Sequence, residues 1–217
     1  LPKPADPQHS EQLARLVASA AEQFGGRTLM LTTSLRALRL IGDSLSAHFE
    51  SSEHIRILVQ GQSPKRRLLE QFRDAGTQGR PMSFWEGVDV PGDALQMVVI
   101  DKLPFPPPND PLVEARSQRV EREGRSAFSA YSMPEAAVAL KQGAGRLIRS
   151  ETDRGVLVIG DTRLTAMGYG KRLLASLPPM RVLKTEAEFG EMLATLAASS
   201  ASTSPLTTSS TMDPTWP

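Results

Sequence analysis

The chain has 217 residues, a net charge of +1 and no cysteine. That is room for one large domain or two small ones, with no disulfide, thiolate zinc site or iron–sulfur ligand in this chain and no global basic field, so any polyanion site has to be a local patch. No apolar run approaches the roughly 18 residues of a membrane span, and Leu1-Pro2-Lys3-Pro4 offers neither a signal-peptide core nor an initiator methionine, so it reads as a cut in a longer protein.

Residues 1–9 read as an extended, Pro-rich lead-in. Ser10, with a carboxylate just after it, starts a helix whose apolar stripe is Leu13, Leu16, Val17 and Ala20. Gly25-Gly26 ends it. Arg27 to Leu31 is a short strand that runs into Thr32-Thr33-Ser34. The next helix carries Leu35, Leu38, Ile41, Leu45 and Phe49 at helical spacing. Ile55 to Val59 is a second strand, and Ser63-Pro64 opens a helix with Leu68, Leu69 and Phe72 on its buried face. Strands alternating with helices across short turns imply a parallel sheet with right-handed crossovers. Ligands of such sheets sit at the carboxyl ends of the strands. Thr32, Thr33 and Ser34 occupy that place, where hydroxyls and a helix N-terminus suit a phosphate. The commoner use of a residue such as Ser34 is a plain N-cap.

Ser83 to Gly92 (SFWEGVDVPG) follows. Glu86 and Asp89 around Gly87 suit a metal, an oriented water or a simple turn. Phe84 and Trp85 suit the core, or stacking on a base. Gln96 to Asp101 is a buried strand, and Lys102-Leu103-Pro104-Phe105-Pro106-Pro107-Pro108 a rigid loop that is neither helix nor inner strand. Pro111 to Gly124 is a charged helix with Arg116, Arg119, Arg122 and Arg125 at helical spacing. Glu114, Glu121 and Glu123 interleave, which favours a solvated, salt-bridged face over a DNA-facing edge.

Ala130 to Met133 reads as a connection, and Pro134 opens the helix that ends in Gln142-Gly143-Ala144-Gly145-Arg146-Leu147-Ile148-Arg149-Ser150. Arg146 and Arg149 are expected on one helix face, with Gln142 beside them. Gly143 and Gly145 would let another surface approach closely. Guanidinium forks pair bidentately with phosphate oxygens, as a phosphoryl-transfer site requires. The alternative is a solvated face paired with Glu151 and Asp153. Val156 to Gly160 is a strand, and Asp161 after it caps the next segment or braces an arginine. Tyr169 to Arg172 begins a short helix, and Arg181 to Leu183 reads as a last strand. Thr185 with Glu188 is a capping box for a helix over residues 186–198. Residues 199–217 are Ser/Thr-rich and expected to be disordered.

Gln142-x-x-Gly145-Arg146-x-x-Arg149 resembles motif VI of superfamily 2 helicases, and Gln142 to Arg154 is similar to the version in DinG/XPD-type DNA helicases. Ser83 to Gly92 resembles motif V of the same group. The resemblance extends over about residues 10–195. It implies a single RecA-like (P-loop NTPase-like) α/β lobe over residues 10–198, with a mostly parallel sheet and helices on both faces. That lobe would be the C-terminal motor lobe of an ATP-dependent DNA helicase moving 5′ to 3′. The resemblance implies Arg146 and Arg149 as arginine fingers and Gln142 as a sensor of nucleotide or water. It makes Glu86, Gly87, Asp89 and Gly145 nucleotide-binding. Thr32, Thr33 and Ser34 would hold single-stranded DNA, with the Pro-rich loop beside the DNA path. The chain has no Gly-x-x-x-x-Gly-Lys-Ser/Thr loop and no helicase-type Asp-Glu pair for a metal. ATP and Mg2+ would therefore be bound mainly by a first lobe outside this chain, the partner across the cleft. An iron–sulfur cluster in that lobe is left open. The resemblance further implies a cytoplasmic, nucleoid-associated protein with no membrane contact.

One departure stands out. Relatives carry an apolar strand just before motif V, whereas Arg73 to Met82 has no apolar run. A central parallel strand should be continuous Val/Ile/Leu. Either the strand is missing or a few residues are absent from the chain, and the second is favoured because an open slot in mid-sheet is costly. Two rival functions remain: a non-catalytic RecA-like interaction module, and a small-molecule enzyme using Glu86 and Asp89.

Overall fold

The computed structural model describes residues 1–64, 66–68, 70–71, 81–84, 95–147 and 153–201, with backbone alone at 24, 81–84, 200 and 201. Among these residues five strands form one sheet, all neighbours parallel: β1 (Thr28–Leu31), β2 (Arg56–Val59), β3 (Pro81–Phe84), β4 (Met97–Ile100) and β5 (Val156–Ile159). Their order across the sheet is β2-β3-β1-β4-β5. Leu29 pairs with Ser83 on one side and Val98 on the other, and Val98 pairs with Leu157.

The alternation of side chains along each strand sends successive residues to opposite faces. Met30, Met97 and Val99 point to one face, against Leu13, Val17 and Ala21 of α1 (His9–Phe24), Leu38, Ile41 and Leu45 of α2 (Leu35–His48) and Leu193. Leu29, Val98 and Ile100 point to the other, among Leu103, Leu140, Leu164 and Leu173. Each fully buried Leu of these layers contributes about 1.5–3 kcal/mol of transfer free energy.

Capping explains several of the helix ends. The α1 helix starts at His9, a residue earlier than its Ser10 signal, and Gln8 caps it with no side-chain bond. A turn at Asp6 replaces the cap, its carboxylate accepting from Gln8 N at 2.8 Å. At the far end Gly25 takes φ 77°, so its N–H and that of Gly26 both reach Ala21 O. Asp110 caps α3 (Pro111–Arg122), and Gly124 at φ 73° closes it, with Gly124 N on Glu121 O and Arg125 N on Val120 O. A π-helical turn, Phe128–Ser132, leads without a break into α4 (Met133–Ala144). Two short helices follow β5, α5 (Arg163–Ala166) and α6 (Gly170–Ser176). The last helix is α7 (Glu186–Ala201). Of its capping box one bond forms as expected, Glu188 N donating to Thr185 Oγ1 at 3.1 Å, while the Glu188 carboxylate accepts from Lys184 N at 2.5 Å, one residue before the N-cap.

Four expectations are corrected. The slot before motif V is filled: β3 begins at Pro81 and is paired on both sides, by β1 and β2. Ladder bonds are made by the backbone and do not require an apolar side chain, and proline is tolerated as the first residue of a strand. Residues 181–184 carry no strand; Val182 there is 67% exposed. Residues 130–133 are helical rather than a connection. Finally, α7 runs on past residue 198 to Ala201, while 202–217 lie outside the described residues. Among the described residues no helix is long and apolar enough to cross a membrane.

Candidate functional site at the carboxyl edge of the sheet

After β1 the chain turns through Thr32, Thr33 and Ser34. Thr32 is buried at 7% exposure, while Thr33 and Ser34 are open. Ser34 is extended, and its hydroxyl oxygen accepts from Ala37 N at 3.2 Å, so the N-cap role is real. The sequence leads on from β1 to β2 on one side, while β4 lies on the other; the crevice between β1 and β4 is a topological switch point. Asp101 closes that crevice. Its buried carboxylate accepts from Thr33 N at 2.9 Å, from Lys102 N at 2.7 Å and, at a long 3.4 Å, from Thr33 Oγ1. Burial pushes the Asp101 carboxyl up, against the pull of these donors and the Lys102 charge. His9, also buried, ties the lead-in to this strand end: Nε2 lies 3.1 Å from Asp101 O and Nδ1 3.2 Å from Pro2 O. Neither role was readable in sequence, because the partners are 68 and 92 residues apart.

The neighbouring strand end is built on Asp161. Burial alone would raise its carboxyl, but the Arg163 guanidinium and two backbone donors hold it below the usual range. Arg163 donates from Nη2 at 2.7 Å and from Nε at 3.0 and 3.2 Å, and its own N–H adds a bond of 3.0 Å. Leu103 N donates to the same carboxylate at 2.8 Å. Asp161 therefore caps the next segment and braces an arginine at once, and it clamps the Pro-rich loop to β5. Arg163 in turn lies over the ring of Phe105, 5.7 Å from its centroid.

The motif around Arg146 falls elsewhere. Helix α4 ends at Ala144, and residues 145–147 form a turn. The helix expected to carry Gln142 and Arg146 on one face therefore ends between them. Two glycines in the last turn and at the cap, Gly143 and Gly145, weaken helix propagation there. Gln142 is exposed in the last turn, Gly145 is exposed at the C-cap, Arg146 is half-buried, and Arg149 lies outside the described residues. The close approach at Gly143 is to the sheet: a Cβ there would stand 3.0 Å from Leu31 Cδ1 and 3.1 Å from Ile100 Cδ1. Buried Leu147 then packs over Gly155, just ahead of β5. Arg146 thus sits toward the amino end of β5, and Thr32 to Ser34 at the carboxyl end of β1. Gly143, three residues before Arg146, still packs on Leu31 and Ile100 at the carboxyl ends of β1 and β4. Glu86, Gly87 and Asp89 lie outside the described residues; β3 ends at Phe84, just before them.

On α3 no residue is buried. Glu123 pairs with Arg119 at 3.6 Å and with Arg125 at 3.3 Å, as a solvated face would. Among the described residues no three His, Asp or Glu gather where a metal could be held.

Comparison with known proteins agrees with this architecture. Residues 17–180 match the family described as the helicase C-terminal domain. The chain is 45% identical over 181 residues to the ATP-dependent DNA helicase YoaA of Escherichia coli (strain K12), covering 82% of this chain and 28% of that protein. It is 41% identical over 170 residues to the ATP-dependent helicase DinG of Mycobacterium tuberculosis (strain ATCC 25618 / H37Rv), covering 77% and 24%. A solved XPD helicase superposes with a TM-score of 0.55 at 20% identity, over 80% of this chain and 32% of that one, a likeness of fold. The chain spans about a quarter of the length of the curated relatives it matches.

Proposed function

The chain belongs to the helicase C-terminal domain family, and from that premise we propose that residues 10–198 are the second motor lobe of an ATP-dependent DNA helicase of the DinG/XPD type, moving 5′ to 3′ on a single strand. The observation that carries this reading is the carboxyl-end turn after β1, where the Thr33 N–H is fixed by Asp101 at 2.9 Å at the start of α2.

That turn suits a DNA phosphate. The Ser34 oxygen is used as a cap, but its hydroxyl proton remains to donate. The Leu35 and Arg36 N–H groups follow in the first turn, where the helix dipole favours an anion. Arg36, exposed at the same helix start, adds a cation. Thr32 is buried and would act mainly by shaping the turn. On the other side, Arg146 and Arg149 would reach the γ-phosphate as arginine fingers, with Gln142 sensing nucleotide or water and Gly145 admitting it. Glu86, Gly87 and Asp89 would relay the nucleotide state to the DNA. ATP and Mg2+ would be held mainly by a first lobe outside this chain. Opening and closing of the cleft between the two lobes would then move the DNA contacts.

The test is a titration of this chain with labelled oligo(dT). Binding should be weak and salt-sensitive, with little preference for sequence. Two or three phosphate contacts give a log–log salt slope of about −1.4 to −2.1 on single strands. Thr32→Ala/Thr33→Ala should weaken it. No binding at low salt, or full binding by the double variant, would sink the DNA role of this turn. The chain alone should hydrolyse no ATP; DNA-stimulated turnover by it would refute the shared site.

A further inference from the structure

Three aromatic rings from three separate segments meet above the carboxyl ends of β4 and β5. Phe105 comes from the Pro-rich loop, Phe128 from the π-helical turn and Tyr169 from the start of α6. Their centroids are 5.5 Å apart for Phe105–Phe128, 5.8 Å for Phe105–Tyr169 and 5.3 Å for Phe128–Tyr169. Phe105 and Tyr169 are half-buried and rest on the core beneath, which accounts for them as packing. Phe128 is different, with 44% of its surface exposed. A large apolar ring held open to water on a π-helical turn calls for a reason, because such turns are rare and recur at functional sites.

The surroundings indicate which ligand that ring would meet. Cations accompany the rings: Lys102 at the start of the loop, Arg163 of α5 over Phe105, and exposed Lys171 and Arg172 just after Tyr169. Two buried carboxylates offset part of this charge, Asp161 bound by Arg163 and Asp101 beside Lys102, which leaves the exposed Lys171 and Arg172. The loop cannot drift, since Leu103 N is fixed to Asp161 and prolines follow. A rigid π surface with exposed Lys171 and Arg172 next to one of its rings in the chain is complementary to a flat ring on a polyanion, that is, to an unpaired nucleobase on a phosphate backbone. We infer that Phe128, backed by Phe105 and Tyr169, is a stacking platform for one unpaired nucleobase. This rests on the single-stranded DNA reading above and adds a base contact to its phosphate contacts.

The experiment compares oligo(dT) with an abasic strand of equal length and charge, by anisotropy at low salt. The wild-type chain is compared with Phe128→Ala, Phe128→Leu and Phe128→Trp, and melting temperatures are recorded for each. One stacked base should favour oligo(dT) by about 5- to 150-fold. Phe128→Ala and Phe128→Leu should lose most of that preference with abasic affinity unchanged, and Phe128→Trp should keep it. Leucine retains apolar bulk without a π face, so it tests stacking even where alanine harms the fold. Equal affinity of the wild type for both strands, or an undiminished preference in Phe128→Leu, overturns the platform while leaving the phosphate contacts standing. No binding of either strand removes the DNA reading, and the platform with it.

Discussion

Asp101 and Asp161 end adjacent strands, and their surroundings drive them in opposite directions. Burial raises Asp101, whereas the Arg163 fork and two N–H donors lower Asp161. The lowered group contributes stability above the ordinary aspartate pKa of about 4, and loses it as pH falls through the still lower folded value. The raised group acts with the other sign, favouring the fold as it takes up its proton. Asp161→Asn should therefore cost about 1–3 kcal/mol at pH 7, since it removes charge-assisted bonds from a buried site. The deficit should shrink at pH 3. Urea unfolding of both proteins at the two values checks this, and an undiminished gap at pH 3 would mean that the charge is not the source. Asp161 was legible in sequence because its main partner is Arg163, two residues on. Asp101 and His9 were not, since sequence spacing cannot reveal a partner brought in by the fold.

Among elements, those with apolar runs or caps were legible: β1, β2, β4 and β5, and the Thr185 cap of α7. Short β3 was missed because its evidence is backbone pairing on both sides. The stretch at 181–183 was over-read, its valine being exposed rather than buried. The end of α4 was also over-extended, although the glycines there were the available signal. A glycine test belongs at this scale. At Gly155 a Cβ would fall 2.5 Å from Leu147 Cδ1 and 2.8 Å from Gln96 O. That carbonyl is pinned by Val156 N at 2.9 Å and cannot yield cheaply. Gly155→Ala should cost about 1–3 kcal/mol by overpacking, and should loosen the turn bearing Arg146. Gly168, with nothing within 4 Å of its Cβ, is the control; Gly168→Ala should stay within about 0.5 kcal/mol. Equal melting temperatures for the two variants would count against the close packing of Leu147 on Gly155.

For the whole molecule, strand–helix alternation was enough to give a parallel sheet, and the resemblance to DinG/XPD-type helicases supplied the helices on both faces. That alternation did not show that Arg146 follows the end of α4 instead of lying on it. The helical run from Phe128 to Ala144 carries the aromatic cluster at one end and leads to Arg146 at the other. On the proposed reading, that run joins the DNA side to the nucleotide side, and Arg146 and Arg149 meet phosphate only when the first lobe closes. Their replacement in the complete protein should then strike turnover far more than folding or DNA affinity. An arginine finger is worth about 10³–10⁵ in rate in nucleotide hydrolases. Lysine should rescue poorly, because it lacks the planar fork. A pair that only braces the turn against β5 predicts the reverse, a lower melting temperature with turnover per folded molecule preserved. DNA-stimulated ATPase rates and melting temperatures, measured together for wild type, Arg146→Lys and Arg149→Lys, separate the two. Near-normal turnover in both variants would leave the motif as a scaffold for the turn.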